Sequence, residues 1–311
     1  MSLKENFISV ILNFTLLGIF RVCFMIISDI KKSFLAVYLL VTMVLPLQAF
    51  SIDSVKSLSQ GNFYINGSYE IGFFDVEGFS ISEMPIDNNV TKTKTRFQLK
   101  HDSQEFKNFT DLRSTGFSNK YKPTVFDRGY LNFAGSIGYS RNNIRMELEC
   151  SYENSDVLDD GKYAEKENRR IVALVRGDNV SIDTSGVNYI IVKNKGIADT
   201  SFTFNVCYDI VSEYNRVVPY LCAGAGGDFI SMFDVVRMKF SYQGKIGLSY
   251  KIAPNMIAFV HTYYHDVIGN RFDYLKTIVY GKLKDAPQVT SASVSADIKY
   301  MGVSLGIRFM L

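Results

Sequence analysis

The chain has 311 residues, of which 21% are charged and 14% aromatic, with 19 Tyr, 24 Phe and no Trp, and its formal charge is +3. That length suits one large or two modest domains, and the weak charge with no basic stripe excludes nucleic acid as a partner. The four cysteines and three histidines show no spacing that would hold a metal. No phosphate loop, nucleophile elbow or carboxylate pair beside a base points to an enzyme or a cofactor.

Two apolar runs occupy the first fifty residues. Phe7–Phe20 is interrupted by Asn13 and Thr15, and Lys31-Lys32 precede a second run, Ser33–Leu45, which leads into PLQAFS. A charged pair, a short apolar core and the small Ala49 spell a secretory signal peptide. Neither run reaches the eighteen or so uninterrupted apolar residues of a spanning helix. Residues 1–49 are therefore expected to be a signal peptide cleaved near Ala49, with Met25 as an alternative start, and residues 50–311 to be the mature domain. Cleavage removes four bases and two acids and leaves a charge of about +1.

The mature chain alternates with a period of two, the mark of strands with one apolar face. Phe63–Phe74 opens the series, with Phe63, Ile65, Tyr69, Ile71 and Phe73 on one face and Tyr64, Asn66, Ser68, Glu70 and Gly72 on the other. The polar segment from Asp75 to about Arg128 contains TKTKTRFQLK, read as a solvated loop in preference to a short strand. Gly129–Ser140 is the second strand, Arg141-Asn142-Asn143 turns it, and Ile144–Tyr152 returns with Arg145, Glu147 and Glu149 opposite Ile144, Met146 and Leu148. A second long segment, 153–200, carries apolar patches at Ile171–Val175 and Tyr189–Val192 that fit a short helix and a strand over the barrel mouth. Ser201–Val211 and Val218–Gly227 follow, joined by SEYNRV, with a loop expected over Asp228–Arg237. The stretch from Met238 through the turn at Pro254-Asn255 to Asn270 is a long strand pair, and a last loop to about Ser293 precedes the closing strand.

A charged row opposite an apolar row suits an enclosed lumen on one side and lipid on the other. Strands of about ten residues are long enough to cross a bilayer. The expected fold is all-β, a transmembrane antiparallel up-and-down barrel of about eight strands. Long extracellular loops after strands 1, 3, 5 and 7 alternate with short periplasmic turns, and both termini lie in the periplasm. Glu70, Arg145, Glu147, Glu149, Asp209, Lys239, Lys245 and Arg308 are predicted to point inward. They either line a channel and set its ion preference or form ion pairs that fill the interior, and an eight-stranded barrel is just wide enough for side chains. Cys207 and Cys222 flank the SEYNRV turn nearly symmetrically, which places them opposite each other on adjacent strands. The periplasm is oxidising, so the pair reads either as a strained cross-strand disulfide or as small apolar packing. The histidines His101, His261 and His265 make no set in the pattern.

Several blocks in order, FYINGSYEIGF, NFAGSIGYS with RMELECSYE, KNKGIADTSFTFNVCYDI, VPYLCAGAGGDFI, KFSYQGKIGLSYKIAPN and FVHTYYHDVIGN, resemble the rickettsial surface antigen family of Ehrlichia and Anaplasma. The resemblance implies an outer-membrane barrel in lipid whose long loops face the host cell, some members being porins. Gly306, Phe309 and Leu311 look like the ending read by the barrel assembly machinery, although the chain closes on Leu311 where an aromatic residue is usual. The expected function is that of a surface-exposed outer-membrane antigen with porin-like passage of small solutes. The alternative is a non-conducting adhesin or surface coat.

Overall fold

The computed structural model describes residues 61–85, 95–99, 117–118, 132–157, 170–177, 181–211, 216–279 and 281–311. The signal peptide expected over 1–49, with Met25 and Ala49, lies outside them, as does His101. Eight long strands form a closed ring: β1 (Asn62–Pro85), β2 (Asn132–Arg141), β3 (Ile144–Ser155), β4 (Ile197–Asp209), β5 (Val217–Met232), β6 (Val235–Ala253), β7 (Met256–Ile268) and β8 (Thr290–Met310). Each pairs antiparallel with its neighbours in sequence, and β1 pairs with both β2 and β8. The fold is thus an eight-stranded, antiparallel, up-and-down barrel. The last residue completes the seam, with Leu311 N–H donating to Phe63 C=O at 2.8 Å.

Strand parity separates two environments. On β6, Phe240, Ile246 and Leu248 stand outward, Ile246 being 72% exposed, whereas Ser241, Gln243 and Lys245 between them are all below 10%. On β8, Met301, Val303, Leu305 and Ile307 face out and Ser304 and Arg308 face in. This is inside-out relative to a water-soluble sandwich, and it is the arrangement that lipid requires. Near one end of the exterior, the hydroxyls of Tyr242 and Tyr264 donate to Asp266 at 2.7 and 3.2 Å. Such polar-tipped rings suit a lipid–water boundary.

Three expectations about connections are corrected. The loop expected over Asp228–Arg237 is a hairpin, in which β5 runs to Met232 and β6 starts at Val235. Phe233 (φ 52°) and Asp234 (φ 63°) supply the two positive-φ residues of its turn, the geometry that matches strand twist in a two-residue connection. Long and short connections therefore do not alternate strictly. Thr95–Leu99, read as part of a loop, is a strand paired with Ile171–Val175. Ile171–Val175, for which a helix was an option, is a strand paired in turn with Tyr189–Lys193.

These short strands belong to a cap over one end of the barrel. All five side chains of Ile171–Val175 are buried, and they pack with Tyr189–Val192, Leu283, Phe272, Leu275 and the upper inner faces of the barrel strands, including Ile230, Met232, Val294 and Ile298. The last long connection is sewn into this core by backbone hydrogen bonds between Ile191 and Ile278 and between Val187 and residues Lys282 and Lys284. Arg176 anchors it: Nη2 and Nε bind Glu83 at 2.5 and 3.1 Å, and Nη2 also donates to Pro287 C=O at 2.8 Å. β1 reaches the cap through a bulge between Glu77 and Ser80, where Gly78 adopts φ +60°. The extra residue reverses parity, so that Ile81 and Glu83 face inward above the bulge.

Glycine at the seam allows close approach of β1, β7 and β8. A Cβ on Gly306 would stand 2.5 Å from Gly67 O and 2.4 Å from the Phe259 ring, while one on Gly67 would meet nothing within 4 Å. Gly306→Ala should destabilise the barrel by about 1–3 kcal/mol, the cost of overpacking, and Gly67→Ala should leave it unchanged. The midpoint of the heat-dependent gel shift checks this, and equal midpoints for the two variants would refute the close approach.

Candidate functional site

The lumen is the site that the strand parity builds. Its buried carboxyl groups are Glu70, Glu147, Glu149, Glu153, Asp199 and Asp228, and its buried cations are Arg145, Lys245 and Arg308. They are arranged in layers along the barrel.

At the end where the termini meet, Arg145 on β3 donates through Nε to Asp209 of β4 at 2.9 and 3.0 Å and through Nη1 to Glu147. Tyr64 OH also donates to Glu147, at 2.9 Å. The Arg145 guanidinium lies 4.8 Å from the Tyr220 ring centroid, and that of Arg308 lies 5.1 Å from Tyr64 and 5.5 Å from Phe259. Arg308 reaches Glu147 only at 4.0 Å. Two cations share one fully buried carboxylate, stacked between aromatic faces that stabilise them further.

The middle layer crosses the lumen. Lys245 on β6 binds both oxygens of Glu149 on β3, one at 2.6 Å. Gln243 Nε2 is shared among Glu149, Thr203 and Asn205 at 3.1, 2.8 and 2.7 Å. Glu70 of β1 is buried within the fields of Glu149 and Lys245. Beside these groups a small cleft is lined by Ser68, Ser136, Glu147, Lys245, His261 and Arg308 among others.

The upper layer is acidic, and neutral donors hold it. Tyr263 OH donates to Glu153 at 2.6 Å and Tyr300 OH to Asp199 at 2.9 Å. Ser201 and Ser241 both donate to Asp228 Oδ1, at 2.5 and 2.8 Å, and His265 Nε2 lies 2.8 Å from Asp228 Oδ2. The apolar cap closes over this layer.

Of the residues read from the sequence as inward, the structure gathers Glu70, Arg145, Glu147, Glu149, Lys245 and Arg308 in the lumen, all at most 6% exposed. Asp209 sits at the rim, on the partly exposed side of the Arg145 pair. Lys239 has inward parity but stands at the opposite mouth, where its ammonium donates to Arg271 C=O at 2.8 Å. Cys207 and Cys222 are direct register partners, joined as a disulfide with Cα atoms 4.0 Å apart. Gly306 and Phe309 lie in β8 against Gly67 or Ser68 and Ile65 of β1, and Leu311 is exposed at the seam. Sequence reasoning missed Glu153, Asp199, Asp228 and Tyr300 as lumen residues, and it named His265 without a set for it to join. Glu153 falls one position and Asp199 two positions beyond the strand ends it drew, and simple extension of the parity would have found both.

Replacing Arg145 by Met would leave Glu147 and Asp209 without their shared cation. Breaking a buried pair from one side costs about 3–5 kcal/mol. We expect a loss of that size in urea unfolding in lipid vesicles, followed by tyrosine fluorescence because the chain has no Trp. A loss below ~1 kcal/mol, the worth of an exposed pair, would mean that this end of the lumen is solvated.

Residues 55–311 match the Surface antigen family. Major surface antigen 4 of Anaplasma marginale is 30% identical over 259 residues, covering 83% of this chain and 87% of that protein. Among solved structures, Neisserial surface protein A aligns with a TM-score of 0.39 at 12% identity, over 80% of this chain and 98% of that one. Ail, the attachment invasion locus protein of Yersinia pestis, aligns with a TM-score of 0.31 at 13% identity, over 80% and 99%. The family match and the lipid-facing barrel lead to one conclusion: the chain belongs to the rickettsial surface antigen family, as an outer-membrane β-barrel protein at the bacterial cell surface.

Proposed function

We propose that this protein is a non-conducting surface barrel whose cap and outer hairpins contact host components. The observation that carries the proposal is the bridged lumen. Lys245 of β6 binds Glu149 of β3 across it, Arg308 of β8 approaches Glu147 of β3 at a lower level, and the apolar cap lies above the acidic layer. A permeating ion would have to displace ion pairs and then pass an apolar constriction, and both steps oppose conduction. The cap, in contrast, is a packed platform on rigid strands, suited to holding surface segments in fixed positions.

Porin-like passage is the second reading, and the small cleft beside Lys245 and His261, lined in part by charged groups, is what favours it. Lys245 and Glu149 would then have to part to join that cleft to the mouth. No enzymatic role is proposed. Asp228 and His265 form the nearest approach to an acid–base pair, and both are at most 1% exposed, with no face for a substrate.

The test is to refold the chain into liposomes, confirm folding by the heat-dependent gel shift, and measure ion conductance and solute permeability. The proposal expects a folded, electrically silent barrel that still binds host-cell surface material. Sustained conductance altered by Glu147→Ala or Lys245→Ala would overturn it in favour of a pore lined by those residues.

A further inference from the structure

Consecutive strands β4 and β5, together with β7, bring Asp199, Asp228 and His265 together below the cap. One ligand atom from each lies within 4.8 Å of the others, and all three residues are at most 1% exposed. We propose that they bind a single divalent transition-metal ion of the zinc class. A tetrahedral ion with bonds of about 2.0–2.2 Å needs ligand atoms roughly 3.3–3.5 Å apart, a spacing between the 2.8 Å that separates Asp228 Oδ2 from His265 Nε2 and the 4.8 Å limit of the set.

The hydrogen bonds around the cluster fix each ligand by its far atom. Ser201 and Ser241 donate to Asp228 Oδ1, Tyr300 donates to Asp199 Oδ2, and Gln243 Oε1 lies 3.4 Å from His265 Nδ1. Tyr300 also stacks on the His265 ring, with centroids 4.4 Å apart. Of the remaining atoms, Asp228 Oδ2 and His265 Nε2 share a 2.8 Å hydrogen bond that a bound ion would replace, and Asp199 Oδ1 has no partner. Metal-binding histidines and carboxylates are held in this way by outer-shell partners. Asp199 Oδ1 is the independent sign of a ligand: it is buried and has no hydrogen-bond partner, a costly state for a carboxylate oxygen.

Charge points the same way. Among the described residues no lysine or arginine pairs with Asp199 or Asp228. A divalent ion offsets both carboxylates. The imidazole selects a transition ion over magnesium or calcium, which prefer oxygen ligands alone.

The experiment refolds the untagged full chain with and without Zn²⁺, removes loose metal by brief chelator washing, and counts metal per chain by mass spectrometry. One zinc per folded chain is expected, with a raised midpoint of the heat-dependent gel shift. Asp199→Asn and His265→Gln should each lose the bound zinc. Glu153→Gln, which removes a buried acid outside the ligand set, should retain it. Tyr300→Phe, which removes only the donor to the far oxygen of Asp199, should weaken binding about 10- to 100-fold and decides the matter if a ligand variant does not fold. Folded wild-type protein with less than a tenth of an equivalent of zinc, or folded ligand variants that bind as wild type does, would overturn the proposal.

Discussion

Closure of the ring between β1 and β8 is the constraint on which the rest depends. In lipid no water satisfies an unpaired backbone amide or carbonyl, so a sheet can cross only if it has no edge. The β1–β8 register, from Tyr64 with Met310 up to Pro85 with Thr290, removes the edge over the full height of the barrel. Once the ring is closed, the period of two assigns each side chain to lipid or lumen. A slip of β3 by one residue would turn Arg145, Glu147 and Glu149 into the bilayer and bring Met146 and Leu148 inside. Arg or Lys at the midplane costs about 2–4 kcal/mol, so the inward charges specify the register as firmly as the outward apolar row does.

That assignment obliges the lumen to accommodate more acids than bases, and the two ends do so differently. Near the termini, Arg145 and Arg308 surround Glu147, and Tyr64 adds a donor. Toward the cap, among the described residues, no Lys or Arg pairs with the acids, and Tyr263, Tyr300, Ser201 and Ser241 supply neutral hydroxyl donors to Glu153, Asp199 and Asp228. A buried ion pair contributes little net stability, because desolvation offsets its attraction, yet removing one partner is expensive. The lumen therefore acts more as a lock on a single arrangement than as a source of stability.

Most strands were legible in the sequence because the lipid-facing row is strictly alternating between about Phe63 and Phe73, and between Met238 and Tyr250. Legibility ended where lipid ends. Beyond Phe73 the outward positions become Asp75 and Glu77, and the bulge at Gly78 reverses the phase, so nearly half of β1, from Asp75 to Pro85, read as loop. The β5–β6 hairpin was hidden for a related reason. Asp228, Asp234 and Arg237 look like loop residues, and the turn is made by Phe233-Asp234 in place of an Asn-Gly signal. The Asp199–Asp228–His265 cluster was illegible because its members share no local spacing. Only the pairing of β4 with β5, and the curvature that brings β7 across, place them together. Pairings such as Thr95–Leu99 with Ile171–Val175 span more than seventy residues, beyond the reach of any periodicity.

The inner face changes character along individual strands, and this change explains the cap. On β5 Asp228 is followed inward by Ile230 and Met232. On β7 His265 is followed by Val267, and on β8 Tyr300 by Ile298, Ala296 and Val294, all buried. Below the switch the barrel is polar within and apolar without. Above it, the walls stand clear of the apolar exterior and the interior becomes an ordinary apolar core, which Ile171–Val175 and Tyr189–Val192 fill. The Arg176–Glu83 pair sits at the edge of that core and ties the last long connection to β1. One consequence reaches downward: the apolar seal keeps water from the acidic layer beneath it. The carboxyl groups there must then be neutralised from within, by protons, hydroxyl donors or a bound cation. A lumen that is cross-linked by ion pairs at one end and sealed by hydrocarbon at the other resists ion flow by two unrelated mechanisms, and loosening either alone would leave the other in place.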